Sequence, residues 1–264
     1  VLKIETVFEY SLAFMEPINL SNVTIILHRP RFPENIGSAA RAVANMGLSN
    51  IRVVEPEDYD LTKILKLATH AVMPVVSAIE VFDNLAEAVA PYQYLMATTA
   101  RTGRFRHSSV NPRSAVKKLA PLTLKNKVGV LFGPEDRGLS NDEMKFCQDA
   151  IVIPTLGFHS LNVSQAVMVV CWELRRFLLE DSSPEPESAD AHPSAELATS
   201  HDVEGLYAHL EETLVRIEFL DPKNPEYWMR NIRRMFNRFP LRKVDVNFFR
   251  GLCRQINWYI NNRM

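Results

Sequence analysis

Short β-branched and aliphatic runs alternate with helical patterns through the first two thirds of the chain, and few architectures accept that alternation. Strand-like runs lie at 23–27, 51–54, 94–97, 128–132 and 150–153. Helix-like patterns fill 36–46, 61–69, 83–90, 111–119 and 140–147, followed by a long apolar helix at 162–179. Strands that are apolar along nearly their whole length are buried on both faces. Alternation with helices makes them βαβ units of a largely parallel sheet. The expected class is therefore α/β. Ligands of such sheets bind beyond the carboxyl ends of strands, which directs attention to the loops after Leu27, Phe132 and Ile153.

The alternation stops at an acidic stretch. Between Glu180 and Asp202 there are seven acidic and no basic side chains, with Pro184, Pro186 and Pro193 among Ser, Ala and Glu. No apolar period runs through it, so it reads as a flexible tether. The expected organisation is an N-terminal extension at 1–20, an α/β domain at 21–180, an acidic linker at 181–202 and a helical domain at 203–264. The last contains amphipathic patterns at 203–219, 225–239 and 244–261. The formal net charge of −1 hides this asymmetry, because the segments flanking the tether are both net basic.

Composition narrows the functional classes. No apolar run approaches the roughly 20 residues that cross a bilayer, and the first twenty residues lack the basic leader and cleavage site of an export signal. Cys147, Cys171 and Cys253 are far apart and form no Cys-x-x-Cys pair, which suits reduced thiols in the cytoplasm. The seven histidines show no His-x-x-x-His spacing, so no metal is expected.

Each of the three loops has two readings. The first runs Asn35-x-Gly37-x-x-x-Arg41 into a helix of small residues. Asn35 suits an N-cap, and the Arg41 fork suits a phosphate or simply a solvent-facing position. The second, Gly133-Pro-Glu135-Asp-Arg-Gly138-Leu-Ser140, is either a Gly-Pro turn with an exposed acid or a close-approach loop. In the latter case Glu135 holds a cofactor ammonium or orients an arginine, and Ser140 and Glu143 have capping-box spacing in either case. In the third, Ser160 and Asn162 enter the long helix as ordinary caps or as an anion-binding helix terminus.

Together, and in this order, the loops resemble the three motifs of the SPOUT methyltransferase superfamily in its SpoU (TrmH-like) branch. The matching residues are Asn35-x-Gly37-x-x-x-Arg41, Phe132-Gly-Pro-Glu135-x-x-Gly138-Leu and Ile153-Pro-x-x-Gly157-x-x-Ser160-Leu-Asn162-Val-Ser. Beyond the tether, Leu206-Tyr-x-His-Leu-Glu, Phe219-Leu-Asp-Pro-Lys-Asn-Pro225 and Arg233-Arg-Met-Phe-Asn-Arg238 are similar to the C-terminal domain of TrmJ-type enzymes.

The resemblance implies a parallel sheet tied into a trefoil knot, a homodimer with a composite site, and S-adenosylmethionine as cofactor. The implied reaction is methylation of a tRNA ribose 2′-hydroxyl, at cytidine or uridine opening the anticodon loop. Arg41 would be the central catalytic residue, framed by Asn35, Glu135 and Asn162. Thr98, Thr99, Ala100, Gly133, Ile153, His159, Ser160 and Leu161 would hold the cofactor. RNA contacts are expected from Arg101, Arg104 and Arg106, and from Arg230, Arg233, Arg234 and Arg238 at helical spacing. Helix 162–179 is core or dimer surface. Ribosomal RNA as substrate and an idle RNA-binding relative are the rival expectations.

Overall fold

A computed structural model describes residues 18–68, 70–100, 108–156, 160–180, 196–238 and 240–263. Its first half unfolds in the expected alternation: β1 (Val23–His28), α1 (Pro33–Asn45), β2 (Asn50–Val54), α2 (Leu61–Leu67), the single turn α3 (Met73–Ser77), β3 (Glu80–Phe82), α4 (Leu85–Val89) and β4 (Tyr94–Thr98). There follow β5 (Ser108–Val110), α5 (Pro112–Thr123), β6 (Val128–Phe132), the short α6 (Asn141–Met144), β7 (Asp149–Ile151) and the long α7 (Val163–Glu180). After the tether come α8 (Ser200–Arg216), α9 (Pro225–Phe236) and α10 (Lys243–Arg263).

All strand pairs are parallel, in the order β3-β2-β1-β6-β4-β7-β5. Successive side chains of a strand point to opposite faces, and the core divides accordingly. Ile25, Leu27, Tyr94, Met96, Val130 and Phe132 pack on one face with α1, α2, α5 and α7. Ile26, Leu95, Ala97 and Leu131 pack on the other, over α4 and the α6 segment. That double burial explains why five strands were legible as apolar runs.

Two strands and one helical turn lie outside the expectations. β3 and β5 have three residues each and sit at the sheet edges, where pairing with β2 and β7 rather than hydrophobicity defines them. The last central strand ends at Ile151, not residue 153, and the expected helix 140–147 contracts to one turn.

The tether expected at 181–202 is described only from Glu196, and there it belongs to the folded body. Leu197 and Ala198 are buried, Leu197 bridges to Arg242, and Thr199 caps α8 in a reciprocal capping box with Asp202. At the other end, Ile18 is fully buried and the Asn19 N–H donates to Thr123 Oγ1 at 2.8 Å, so residues 18–20 join the α/β body. Residues 1–17 lie outside the described residues.

Helices α8–α10 enclose a small core of Leu206, Tyr207, Leu220, Met229, Phe236, Leu241 and Val246. They join the α/β body through the Ser200 and His201 N–H groups, which donate to Tyr92 and Ala90 carbonyls at 2.8 and 3.2 Å. Among the described residues no helix is long and apolar enough to cross a membrane. Cys147, Cys171 and Cys253 are free and buried, and burial pushes the Cys171 thiol up to about 12.

Candidate active site

The carboxyl ends of β4, β6 and β7 converge on one pocket of about 260 Å³. Backbone pairing fixes its floor. The Thr99 N–H donates to the Ile151 carbonyl at 3.0 Å, and the Thr98 hydroxyl to the Leu131 carbonyl at 3.1 Å. Thr98, Thr99, Ala100, Gly133, Ile153, Ser160 and Leu161 all line it, so the structure brings together seven positions singled out from the sequence. The eighth, His159, lies outside the described residues.

The wall formed by residues 133–139 depends on a missing side chain. A Cβ on Gly133 would stand 2.6 Å from Gly138 C and Leu139 N, both backbone atoms, so the turn closes only over glycine. Gly138 has φ +65°, the left-handed region that glycine occupies without penalty.

Above this wall the three motif loops are joined by hydrogen bonds. Asn35 Nδ2 donates to Glu135 Oε1 at 2.6 Å, and Asn162 Nδ2 donates to Asn35 Oδ1 at 2.9 Å. The Arg31 N–H supplies the other carboxylate oxygen of Glu135 at 3.1 Å. Asn162 Oδ1 meanwhile accepts from the Ser164 N–H at 2.9 Å and so caps α7. Asn162 is thus the ordinary cap of α7 through its amide oxygen, and its amide nitrogen joins the first motif.

Asn35 departs from its expected role as a cap. Phe32 is the N-cap of α1 and Pro33 follows it, since proline loses nothing at a position whose N–H has no helical partner. Asn35 falls in the first turn, where its side chain is available to the other two loops. Arg41 is exposed on α1, has no hydrogen bond or ion pair among the described residues, and does not line the pocket.

Arg137 and Asp136 also line the pocket, at the two variable positions of the second motif, where residue type alone carries no signal of a site. Arg137 is held by Glu143, Nη2 to Oε1 at 2.8 Å and Nη1 to Oε2 at 3.2 Å. Glu143 also accepts the Ser140 N–H at 2.6 Å, completing the capping box read from the sequence. Burial works to raise the Glu143 carboxyl. The bonds from Arg137 and Ser140, with His28 nearby, outweigh it and hold the group down at about 2.

A carboxyl depressed on folding stabilises the native state above its unfolded pKa, and that stability is lost as pH falls toward the folded value. Acid unfolding is accordingly expected to lose part of its pH slope between about pH 4.5 and 2 in Glu143→Gln. Urea midpoints measured across that range check this, and an unchanged slope would contradict it.

The basic residues of α9 divide. Arg233 faces inward, with Nη2 on Glu204 Oε2 at 2.7 Å and its guanidinium 4.3 Å from the Tyr207 ring centroid. Arg230 and Arg234, with Arg238 in the turn just past the helix end, are exposed without an ion pair among the described residues, Arg230 lying 5.7 Å from the exposed Tyr227 ring. Arg101, Arg104 and Arg106 lie outside the described residues. Among the described residues no cluster of His, Cys, Asp and Glu has a metal-binding arrangement.

Residues 22–172 match the SpoU rRNA Methylase family, and residues 201–263 match the C-terminal domain of the tRNA methyltransferase TrmJ. The tRNA (cytidine/uridine/adenosine-2′-O-)-methyltransferase TrmJ of Pseudomonas aeruginosa (strain UCBPP-PA14) is 35% identical over 239 residues, 88% of this chain and 93% of that protein. The tRNA (cytidine/uridine-2′-O-)-methyltransferase TrmJ of Sodalis glossinidius (strain morsitans) is 32% identical, over 90% of this chain and 92% of that protein. Among solved structures, TrmJ from Z. mobilis ZM4 superposes with a TM-score of 0.75 at 28% identity, covering 89% of this chain and 98% of that one.

Proposed function

Because the chain belongs to the SpoU methylase family, in its TrmJ branch, we propose that it methylates a ribose 2′-hydroxyl of tRNA from S-adenosylmethionine, at cytidine or uridine opening the anticodon loop. The observation that carries this reading is the hydrogen-bonded chain Glu135–Asn35–Asn162, which gathers all three motifs at the rim of one pocket.

The pocket's side chains fit a zwitterionic ligand with an apolar ring. Glu135 and Asp136 suit an ammonium, Arg137 suits a carboxylate, and Leu139, Ile151, Ile153 and Leu161 suit a purine face. When bound, S-adenosylmethionine supplies a methyl group on a good leaving group, so the protein's own tasks are positioning and charge stabilisation. Thr98, Thr99, Ala100, Gly133, Ile153, Ser160 and Leu161 would hold it, together with His159.

A ribose hydroxyl is a weak nucleophile until its proton is shared. A guanidinium, with a pKa above about 12, is a poor base for it. Arg41 acts instead by gripping the phosphate next to the target ribose and stabilising the developing alkoxide, while the hydroxyl proton passes to solvent water and the methyl's bond to sulfur breaks. The asparagine pair and Glu135 fix the first turn of α1, and Arg41 projects from the same helix two turns further on.

The reading includes a homodimer with a composite site. Supporting it are the absence of Arg41 from its own chain's pocket lining and the exposure of Trp172 and Leu179 on α7. It also includes a trefoil knot, supported by a sheet order that inserts β6 between β1 and β4, and residence in the cytoplasm, supported by the free buried thiols. The exposed stripe of Arg230, Arg234 and Arg238 serves the tRNA backbone. In the triple alanine variant, the slope of log affinity against log salt is expected to flatten by roughly 2, since each single-strand phosphate contact contributes about 0.7. Filter binding at several KCl concentrations measures it, and a parallel slope would remove the stripe from the interface.

Labelled S-adenosylmethionine, offered with unmodified tRNA and separately with ribosomal RNA, tests the whole reading. Transfer to tRNA is expected. Transfer to ribosomal RNA alone would overturn the substrate, and transfer to neither would overturn the enzyme.

A further inference from the structure

Behind the pocket wall, at the carboxyl ends of β1 and β2, lies a buried histidine that the reaction described above does not use, among charged residues of which only Arg137 also lines the pocket. His28 ends β1 and is 3% exposed. Its Nδ1 is, among the described residues, the one buried side-chain nitrogen or oxygen without a hydrogen-bond partner. That atom stands 3.5 Å from Glu143 Oε1, too far for a good hydrogen bond, and Nε2 stands 4.0 Å from Glu55 Oε1. Glu143 Oε1 is the same atom that receives Arg137 Nη2 at 2.8 Å.

The outer side of the imidazole is closed by an ion pair between Arg29 and Glu55, with Arg29 Nε donating to Oε2 at 2.6 Å. Both residues have positive φ, 50° and 47°, a strained conformation for side chains of this kind. The charged groups facing His28 are thus Glu143 from α6, Arg137 from the loop after β6, Glu55 from the end of β2 and Arg29 from the end of β1. Burial holds the imidazole below its ordinary value, against the two carboxylates, so it is neutral at neutral pH.

We propose that His28 is a positioning residue for the pocket wall, whose protonated form competes with Arg137 for Glu143 Oε1 and so links cofactor binding to a single buried proton. An imidazolium donates from both ring nitrogens, and a charge-assisted bond to Glu143 needs only a closure from 3.5 Å to under 3 Å. The movement draws the carboxylate away from Arg137 and from the Ser140 N–H, two of the contacts that hold residues 137–140 in place beside the pocket. Cofactor affinity therefore falls as pH drops through the His28 titration, and a bound cofactor lowers the proton affinity of His28 by the same factor. The inference rests on the pocket being the cofactor site.

Calorimetric titration with S-adenosylhomocysteine at about pH 8 and about pH 5.5 tests it, in the wild type and in His28→Gln. A cofactor-induced shift of one pKa unit corresponds to a change of up to about tenfold in wild-type affinity, and His28→Gln should flatten the profile. The imidazole nitrogens of His28, followed by NMR with and without ligand, give an independent readout that needs no variant, and their midpoint should move to lower pH on binding. A wild-type pH profile retained in His28→Gln, or a His28 midpoint indifferent to ligand, overturns the inference alone. No binding at any pH would overturn the functional reading and the inference with it.

Discussion

Arg41→Ala is expected to slow 2′-O-methyl transfer by roughly a thousandfold while leaving the fold and cofactor affinity intact. Arg41 is exposed, bonds nothing among the described residues and stands outside the pocket lining. Its neighbours Ala39, Ala40, Ala42 and Val43 are buried and carry the packing of α1, so truncation at 41 removes no core contact. Exposed substitutions of this kind change stability by about 0.5 kcal/mol or less. The loss should therefore fall on the single-turnover rate at saturating S-adenosylmethionine, with calorimetric affinity for S-adenosylhomocysteine unchanged. Arg41→Lys should recover only part of the rate, because an ammonium keeps the charge but not the two-pronged grip on phosphate. A rate within tenfold of wild type in the alanine variant would remove Arg41 from the mechanism.

Gly37→Ala is expected to cost about 3 kcal/mol, the upper end for forcing a methyl into a packed site. A Cβ there would lie 2.1 Å from the Ile64 carbonyl oxygen and 3.0 Å from its carbon, so the obstacle is the backbone of α2. Neither helix can yield easily. Ile36, Ala39, Ala40 and Val43 fix α1 in the core, and Ile64 is itself fully buried. Because Asn35 sits two residues away on the same helix, displacement of α1 should also break its bonds to Glu135 and Asn162 and abolish activity in whatever protein folds. Urea unfolding measures the first effect. A wild-type midpoint would mean that α1 and α2 are not packed backbone to backbone. Gly138→Ala makes the contrasting control, since its Cβ meets nothing within 4 Å and only its positive φ opposes the change.

The parts of this fold legible in the sequence were those decided by local chemistry. β1, β2, β4 and β6 are buried on both faces and therefore written as apolar runs. β3 and β5 are not, because three residues such as Ser108-Ser109-Val110 become a strand only when β7 arrives beside them. Asn35 looked like a cap by residue type, and only Pro33 at the first helical position frees it for the site. Spacing put Arg233 on the same footing as Arg230 and Arg234. The difference lies with Glu204 and Tyr207, on a helix that folds back against α9.

The linker was legible as acidic and proline-rich. The burial of Leu197 and Ala198 was hidden within it, because their partners lie far along the chain, Leu197 donating to Asn126 and bridging to Arg242. The polar chain Glu135–Asn35–Asn162 was reachable through motif order, whereas the His28–Glu143–Arg137 group was not. Glu143 announced itself only as a capping-box residue, and nothing local points from it to the end of β1.

Alkaline cleavage mapping distinguishes methylation of a tRNA ribose hydroxyl from methylation of a base. A 2′-O-methyl group removes the nucleophile that cleaves the adjoining phosphodiester in alkali. End-labelled, unmodified tRNA treated with the protein and S-adenosylmethionine should therefore show one newly resistant position, at the first nucleotide of the anticodon loop, absent with Arg41→Ala. Methyl label incorporated into tRNA with an unaltered cleavage ladder would mean that a base is modified, and would contradict the account.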